Sequence, residues 1–223
     1  MLEILIADAE LELVPVSMQD DYAIRKISKE KGKNVQELLL DSNFMHSAIE
    51  RHFPGESNRR GRPDIFHILL NCCLDSILNR EGKLKVKIHT RNDKIIDINS
   101  STRIPRSYNR FCGIMEKLLS KGSIESPDGE VLMSLRNGSV KEIIGDGKKT
   151  ILLHPRGKKA RLPDILGSGK EDIRVVIGGF SEGDFRSDMS GIGEKYSISG
   201  EELTIWIVAM ECIVNMEILQ QNA

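Results

Sequence analysis

The sequence predicts an open α/β sheet, and three observations carry that expectation. The first is the stretch Arg174 to Asp184, RVVIGGFSEGD. Val175 to Ile177, with Ile173 before them, make a run too short for a helix and rich in β-branches, the mark of a strand buried on both faces. Gly178 and Gly179 then let the backbone turn sharply and leave no side chain between chain and ligand, a permission repeated at Gly183. The second observation is a further buried strand at the start, Leu2 to Ala7. The third is that strand-like runs alternate along the chain with segments of helical spacing. In open α/β sheets small molecules bind in the crevice at the carboxyl ends of strands, so the glycine turn is a candidate ligand crevice. It also reads simply as a tight turn after a core strand.

At 223 residues the chain is long enough for one large domain or two small ones. Charged residues make up 29% and aromatics 4%, which describes a soluble globular protein with a mostly aliphatic core. Its 32 Lys and Arg against 33 Asp and Glu give a formal net charge of -1, so it is not basic all over, although cations can gather on one face. No apolar run is long enough for a membrane span. The start, MLEILIADAELELVP, carries acids among its apolar residues and lacks the basic region and cleavage site of a signal peptide. Cys72, Cys73, Cys112 and Cys212 stand in apolar surroundings without CxxC spacing, and the histidines lack metal-ligand spacing. The expectation is a reduced, cytoplasmic protein with buried thiols and no metal site.

After the first strand the spacing from Glu10 onwards turns helical. Between Ser17 and Lys33 charges dominate and Gly32 interrupts, which predicts a surface loop or a poorly packed helix. Asp41-Ser42-Asn43 is a turn or N-cap cluster, followed by Phe44, Ala48, Ile49 and Phe53 at helical spacing. In RRGRPDIFHILLNCCLDSILN, Pro63 suits a helix's first turn, Asp64 its positive end, and Ile65, Ile68, Leu69, Cys72 and Cys73 its apolar face. Arg59, Arg60 and Arg62 then precede a helix N-terminus, where unpaired N–H groups and the dipole add to guanidinium charge in binding phosphate. The other reading of such a run is a solvated loop. Asp64, two residues after Arg62, can pin that guanidinium in one orientation. Gly82 ends the helix, and Leu84 to Thr90 alternates strictly, predicting a strand with Lys85, Lys87 and His89 opposite Leu84, Val86 and Ile88. His89 reads as a strand-face residue rather than a base. Ile95 to Ile98 predicts another short strand.

STRIPRSYNRFCGIMEKLLSKG places Arg103, Arg106 and Arg110 three and four apart, on one face where the backbone is helical, with Pro105 in the first turn and Phe111, Ile114, Met115 and Leu118 buried. With Tyr108 and Phe111 interleaved, this is either a phosphate and base contact surface or a solvated basic face. Beyond Ser126 turns are frequent. Val131 to Leu135 and Ile151 to Leu153 predict strands flanking a short helix at Val140 to Ile144, while Lys148-Lys149 and RGKKAR at 156–161 read as exposed. Neither Gly147-Lys148 nor Gly169-Lys170 completes a phosphate loop, because Glu142 and Asp164 stand where glycine is needed, and no GxGxxG follows a strand. After the glycine turn, Ser181 to Gly193 predicts a loop able to fold over a ligand, and Lys195 to Ser199 a short segment. Glu201 and Glu202 then start a last helix. Its stripe of Leu203, Trp206, Ile207, Met210, Ile213, Val214 and Ile218 is wide enough to meet both the sheet and a second subunit.

RRGRPDIFH, TRIPRSYNRF, VIGGF with the glycine that follows it, and the SIS segment before the closing helix occur in the order found in one family. The chain resembles the ribosome-biogenesis rRNA pseudouridine N1-methyltransferases of archaea and eukaryotes, members of the SPOUT superfamily, over essentially its whole length. The resemblance implies one SPOUT methyltransferase domain over 1–223: a parallel α/β sheet flanked by helices, a C-terminal trefoil knot, an inserted RNA-binding α/β extension around 44–122, and a homodimer packed through the knot. It implies S-adenosyl-L-methionine as cofactor, bent among three loops, with Leu153, Gly178, Gly183, Ile198, Ser199, Gly200, Glu201, Glu202 and Leu203 as contacts. It implies small-subunit rRNA as partner, held by Arg62, Arg103, Arg106 and Arg110. Arg62 and Asp64 take the catalytic positions, and Asp64 holds Arg62 in place. Other ribosome assembly proteins are further partners on this reading, in the cytoplasm.

The reaction so implied is attack by N1 of an extruded pseudouridine on an activated methyl group. Positive charge near the base favours the deprotonated ring, with Asp64 as general base the alternative. A reading from another class is a non-enzymatic assembly factor that uses the same arginine surface to place pre-rRNA. A third is methyl transfer to another base or a ribose, because arginines read phosphate and shape more than base identity.

Overall fold

The computed structural model describes residues 1–192 and 194–222. β1 (Leu2–Ala9) is buried along its whole length because it lies mid-sheet with parallel partners on both sides. The helix expected from Glu10 onwards does not form there. Leu40 N bonds Glu12 O, Val14 N bonds Leu38 O, and Leu13 bridges Leu39, so the returning chain rather than a helix satisfies this backbone. α1 (Tyr22–Lys31) is capped by Asp21, stopped by Gly32 at φ 60, and buries only Ile24 and Ser28, the poorly packed helix its charge predicts. Asp41 caps α2 (Ser42–His52) as expected. Its buried stripe is Met45, Ala48 and Ile49, which leaves Phe44 off the face, exposed beneath the Lys31 ammonium.

Pro63 opens α3 (Pro63–Asp75), with Asp64 in its first turn. Phe66, Leu70 and Leu74 join Ile65, Leu69 and Cys73 inside, while Ile68 is exposed and Cys72 half-buried, contrary to the expected face. Ser76 breaks the run and caps α4 (Ile77–Arg80). β2 (Leu84–Thr90) and β3 (Lys94–Ile98) pair antiparallel. α5 (Tyr108–Lys121) has Ser107 as its N-cap, so Pro105 is not in its first turn and Arg103 and Arg106 are not helical. β4 (Ser123–Glu125) and β5 (Val131–Asn137) form the outer edge, and Ser139 caps α6 (Val140–Ile144).

β6 (Lys149–Lys159) runs well beyond the expected strand, followed by α7 (Leu162–Leu166), β7 (Ile173–Gly178), β8 (Lys195–Ser197) and α8 (Ile205–Gln221). Thr204 is the N-cap of α8, so Glu201, Glu202 and Leu203 form a loop ahead of it rather than its first turn. The 8-stranded sheet has the order β4-β5-β3-β2-β1-β7-β6-β8. From β2 to β8 the strands run parallel; β3, β5 and β4 join antiparallel, so the sheet is not parallel throughout.

Alternation along β1 splits the core. Leu2, Ile4 and Ile6 pack under α3, α5 and α8, while Leu5 and Ala7 meet Val140, Ile143 and Val176 on the other side. On that second side the strand read as aliphatic holds a buried cation. Arg174 is fully buried, with Nη1 and Nη2 on Asp146 at 3.0 and 2.6 Å and Nε on Glu3. Lys148 Nζ reaches Glu3 at 3.1 Å, so it is an internal counter-charge and not the exposed residue expected.

Candidate active site

The site is built where β7 ends. Gly179 N bonds Ala7 O and Glu10 N bonds Gly179 O, lacing the turn to β1 so closely that a Cβ at Gly179 would stand 2.7 Å from the Ala9 Cα. The chain then swings outward through Phe180 to Asp184. Together with the bend of β6 at 153–156 and the segment from Tyr196 to Ile205, it encloses a cavity of about 520 Å³. Leu153, Ile177, Ile205 and Val208 supply apolar lining, while Arg156, Asp184, Glu201 and Glu202 add charge. This is the size and balance of a small-molecule site. Among the expected contacts, Leu153, Gly178, Gly183, Ile198, Ser199, Glu201, Glu202 and Leu203 all line the cavity; Gly200 does not.

Sequence reasoning missed the clasp that holds this cavity. Asp184 Oδ1 lies 3.1 Å from His154 Nε2, and Asp184 Oδ2 accepts from Arg156 Nη2 at 2.5 Å, so one carboxylate ties the glycine loop to the bend of β6. Burial pushes the Asp184 carboxyl up, but the Phe185 amide, His154 and Arg156 outweigh it and hold the group below the usual carboxylate range. The outgoing loop is fastened too. Asp8, at φ 54, accepts from the amides of Arg186 and Ser187 at 2.6 and 2.9 Å and from the Ser187 hydroxyl at 2.6 Å. The expected flap over Ser181 to Gly193 is therefore anchored near its middle; Gly193 itself lies outside the described residues.

The arginines divide. Arg62 donates from Nε and Nη2 to the two oxygens of Asp64 at 2.9 and 2.8 Å, the pinning that their spacing predicts, and this pairing raises the Arg62 pKa. Arg62 lines a second, polar cavity of about 490 Å³ with Ser42, Asn43, His46, Ser57 and Asn58. Ser181 and Glu182 line both cavities, so a single loop separates Arg62 from the glycine crevice. Arg59 and Arg60 are not phosphate-facing. Arg60 sets its fork on Glu12 at 2.5 and 3.0 Å, and Arg59 bonds Glu10 at 2.7 Å. Gly61 at φ 66 turns the chain between them and Arg62, and the buried Glu10 and Glu12 require internal cations.

Arg103 and Arg106 stand in the exposed loop before α5 and Arg110 in its first turn, a corner rather than a helix face. His67 braces that corner, with Nε2 2.8 Å from Pro105 O and its ring 5.7 and 5.0 Å from those of Tyr108 and Phe111. The two aromatics are not free stacking platforms: Phe111 is fully buried, and the Tyr108 hydroxyl donates to Asp41 at 2.6 Å. Burial and Asp41 push the Tyr108 pKa far up.

The sequence model described as EMG1/NEP1 methyltransferase matches residues 4–217. The chain belongs to that family. It is 49% identical over 219 residues to the ribosomal RNA small subunit methyltransferase Nep1 of Thermoplasma volcanium, covering 97% of each chain. It is 44% identical over 222 residues to the protein of that name from Thermococcus onnurineus, covering 97% of this chain and 98% of the relative. Among solved structures, the crystal structure of Archaeoglobus fulgidus Nep1 bound to S-adenosylhomocysteine superposes with a TM-score of 0.87 at 30% identity, covering 98% of both chains. The EMG1/NEP1 resemblance seen in the two arginine motifs thus holds over nearly the whole chain, and the α/β architecture is that of the Nep1 structure.

Proposed function

We propose that this chain transfers the methyl group of S-adenosylmethionine to small-subunit rRNA during ribosome biogenesis, with N1 of an extruded pseudouridine as the nucleophile. The observation that carries this reading is the pair of cavities sharing Ser181 and Glu182, one glycine-bounded and part apolar, the other polar and holding Arg62. The first suits S-adenosylmethionine, because Leu153, Ile177, Ile205 and Val208 offer apolar surface to its adenine and Glu201 and Glu202 offer acceptors for ammonium and hydroxyl groups. Bound there, the cofactor supplies an electrophilic methyl group.

The chain's own residues do the rest. Arg62, held in one orientation by Asp64, places a guanidinium beside the polar cavity, where it stabilises a ring that has lost its N1 proton. Both Asp64 oxygens are taken by Arg62, so Asp64 acts as a positioning group and not as the base. Arg103, Arg106 and Arg110 hold the RNA backbone, in an RNA-binding extension spanning about 44–122 of a single domain. We read the C-terminal half as a SPOUT-type trefoil knot. Its support is that Leu153 and Lys158 both pair with Tyr196, so β6 bulges between two stretches held against β8, and Gly157 leaves no room for a Cβ against the Lys195 and Tyr196 backbone.

A homodimer through α8 is supported by Ile207, Val214 and Ile218, which the helix leaves exposed opposite Ala209, Cys212 and Met216. Val214→Asp should convert it to monomer in sedimentation; a wild type already monomeric would refute it. Four free cysteines, three of them buried, suit a reducing cytoplasm. The decisive test offers labelled S-adenosylmethionine and two stem-loops identical except for pseudouridine in place of uridine. Label on the pseudouridine RNA alone supports the reading. Label on both redirects it to another base or a ribose, and binding without transfer favours the assembly factor.

A further inference from the structure

Arg59 takes no part in the reaction described above, yet it joins the two halves of the site. It stands in the loop that carries Arg62, and its side chain reaches across to the wall of the glycine crevice. Nε donates to Glu10 at 2.7 Å, Nη1 donates to the main-chain oxygen of Asp184 at 2.8 Å, and the guanidinium lies 4.3 Å from the centre of the Phe180 ring. Beside it the Ser181 hydroxyl donates to Asn58 O at 2.6 Å, a second tie between the same two segments. Gly183 passes so close that a Cβ there would stand 2.8 Å from Arg59 Nη1. Phe180, Gly183 and Asp184 all line the crevice, and the Asp184 carboxylate in turn grips His154 and Arg156 on its far wall.

Charge balance alone does not account for this residue. Glu10 already accepts from Arg91 Nη1 at 2.6 Å. Arg59 Nη2, moreover, is buried without a hydrogen-bond partner among the described residues. Native proteins leave few buried donors unmet, so one retained here points to a role other than stability.

We propose that Arg59 is a positioning residue that couples the two ligands. It fixes the rim 180–184 of the cofactor crevice to the segment 58–62 that carries Arg62, so that RNA seated on Arg62 and cofactor seated behind Asp184 bind with mutual dependence. This rests on the methyltransferase reading above. Linkage makes the dependence reciprocal: the factor by which RNA changes cofactor affinity is the factor by which cofactor changes RNA affinity.

The test is calorimetric titration of the full chain with S-adenosylhomocysteine, with and without the pseudouridine stem-loop, and of the stem-loop with and without S-adenosylhomocysteine. The proteins are the wild type, Arg59→Lys and Arg59→Met. Lysine keeps a cation beside Glu10 but lacks the fork that spans Glu10 and the Asp184 carbonyl. The wild type should show a coupling factor of about 5 to 20 in both directions, and both variants a factor below about 2. Stem-loop affinity without cofactor should stay within about twofold of wild type, since Arg62 and the outer arginines are untouched. If Arg59→Met fails to fold, Arg59→Lys decides, with its thermal midpoint recorded alongside. Coupling that persists in Arg59→Lys overturns the proposal, as does a wild type whose cofactor affinity ignores RNA. A wild type that binds no S-adenosylhomocysteine at all overturns the methyltransferase reading, and this role with it.

Discussion

Arg174, Arg60 and Arg91 lie inside the protein with side chains 1, 9 and 4% exposed, whereas Arg103, Arg106 and Arg110 stand on its surface. The inner group is matched by carboxylates: Glu3 and Asp146 on Arg174, Glu12 on Arg60, Glu10 and Glu56 on Arg91. The outer group has none among the described residues; Arg103 reaches only the carbonyls of Ser100 and Thr102. A net charge of -1 therefore conceals a segregation in which several acids neutralise internal cations and the outer corner keeps its positive charge. The same residue type is structural where desolvation demands a partner and keeps an unpaired charge where water solvates it, which is what the proposed RNA contact needs.

The sharpest way to break the comparison is inside. Arg174→Met leaves the buried Glu3 with Lys148 alone, and should cost about 3 to 5 kcal/mol in denaturant unfolding while folded protein still binds RNA. The loss should depend on pH. Burial pushes the Glu3 carboxyl up, but Arg174 and Lys148 together bring it below its ordinary value. A depressed carboxylate contributes stability above its unfolded pKa and loses it as pH falls through the folded pKa. The gap between variant and wild type should thus be full at neutral pH and narrow below about pH 4. A gap that widens in acid would contradict the pairing.

Next in size is the crevice. A Cβ at Gly178 would stand 2.7 Å from the Phe180 ring, so Gly178→Val should lower label transfer by about a hundredfold, or about 2.7 kcal/mol, with RNA binding measured without cofactor intact. Equal loss of RNA binding would mean the two cavities are not separable. On the outer corner, Arg106→Ala should weaken RNA binding about tenfold and reduce the slope of log affinity against log salt by about 1, with unfolding free energy within about 0.5 kcal/mol of wild type. Smallest of all is Arg161→Ala. Arg161 is exposed, like Arg106, but its Nε lies 3.2 Å from Asp164 in its own turn, so RNA affinity should change less than about twofold. A larger effect would extend the RNA surface to the basic run at 156–161.

Local signals were readable wherever the competing structures differ locally. Pro63 with Asp64, the cap at Asp41, and the strict alternation of Leu84 to Thr90 each mark a boundary or a period that the fold keeps. Readings failed where one pattern suits two structures. The residues after Glu10 have helical spacing, yet pairing with Leu38 to Leu40 holds them extended. Glu201 and Glu202 look like a helix start, but Thr204 takes that place. In the site, the glycine turn and the Arg62–Asp64 pair could be found from adjacent residues, whereas the Asp184 clasp on His154 spans 30 positions and left no local trace.

By itself the sequence determined where the chain changes period, where it turns without a side chain, and which two arginine motifs tie it to its family, because those depend on neighbours within a few residues. Only the tertiary structure decided that Arg174, Arg59 and Arg60 face inward while Arg106 and Arg110 face outward. The cost of removing a charge from water belongs to the position, which is set by residues far away in the chain.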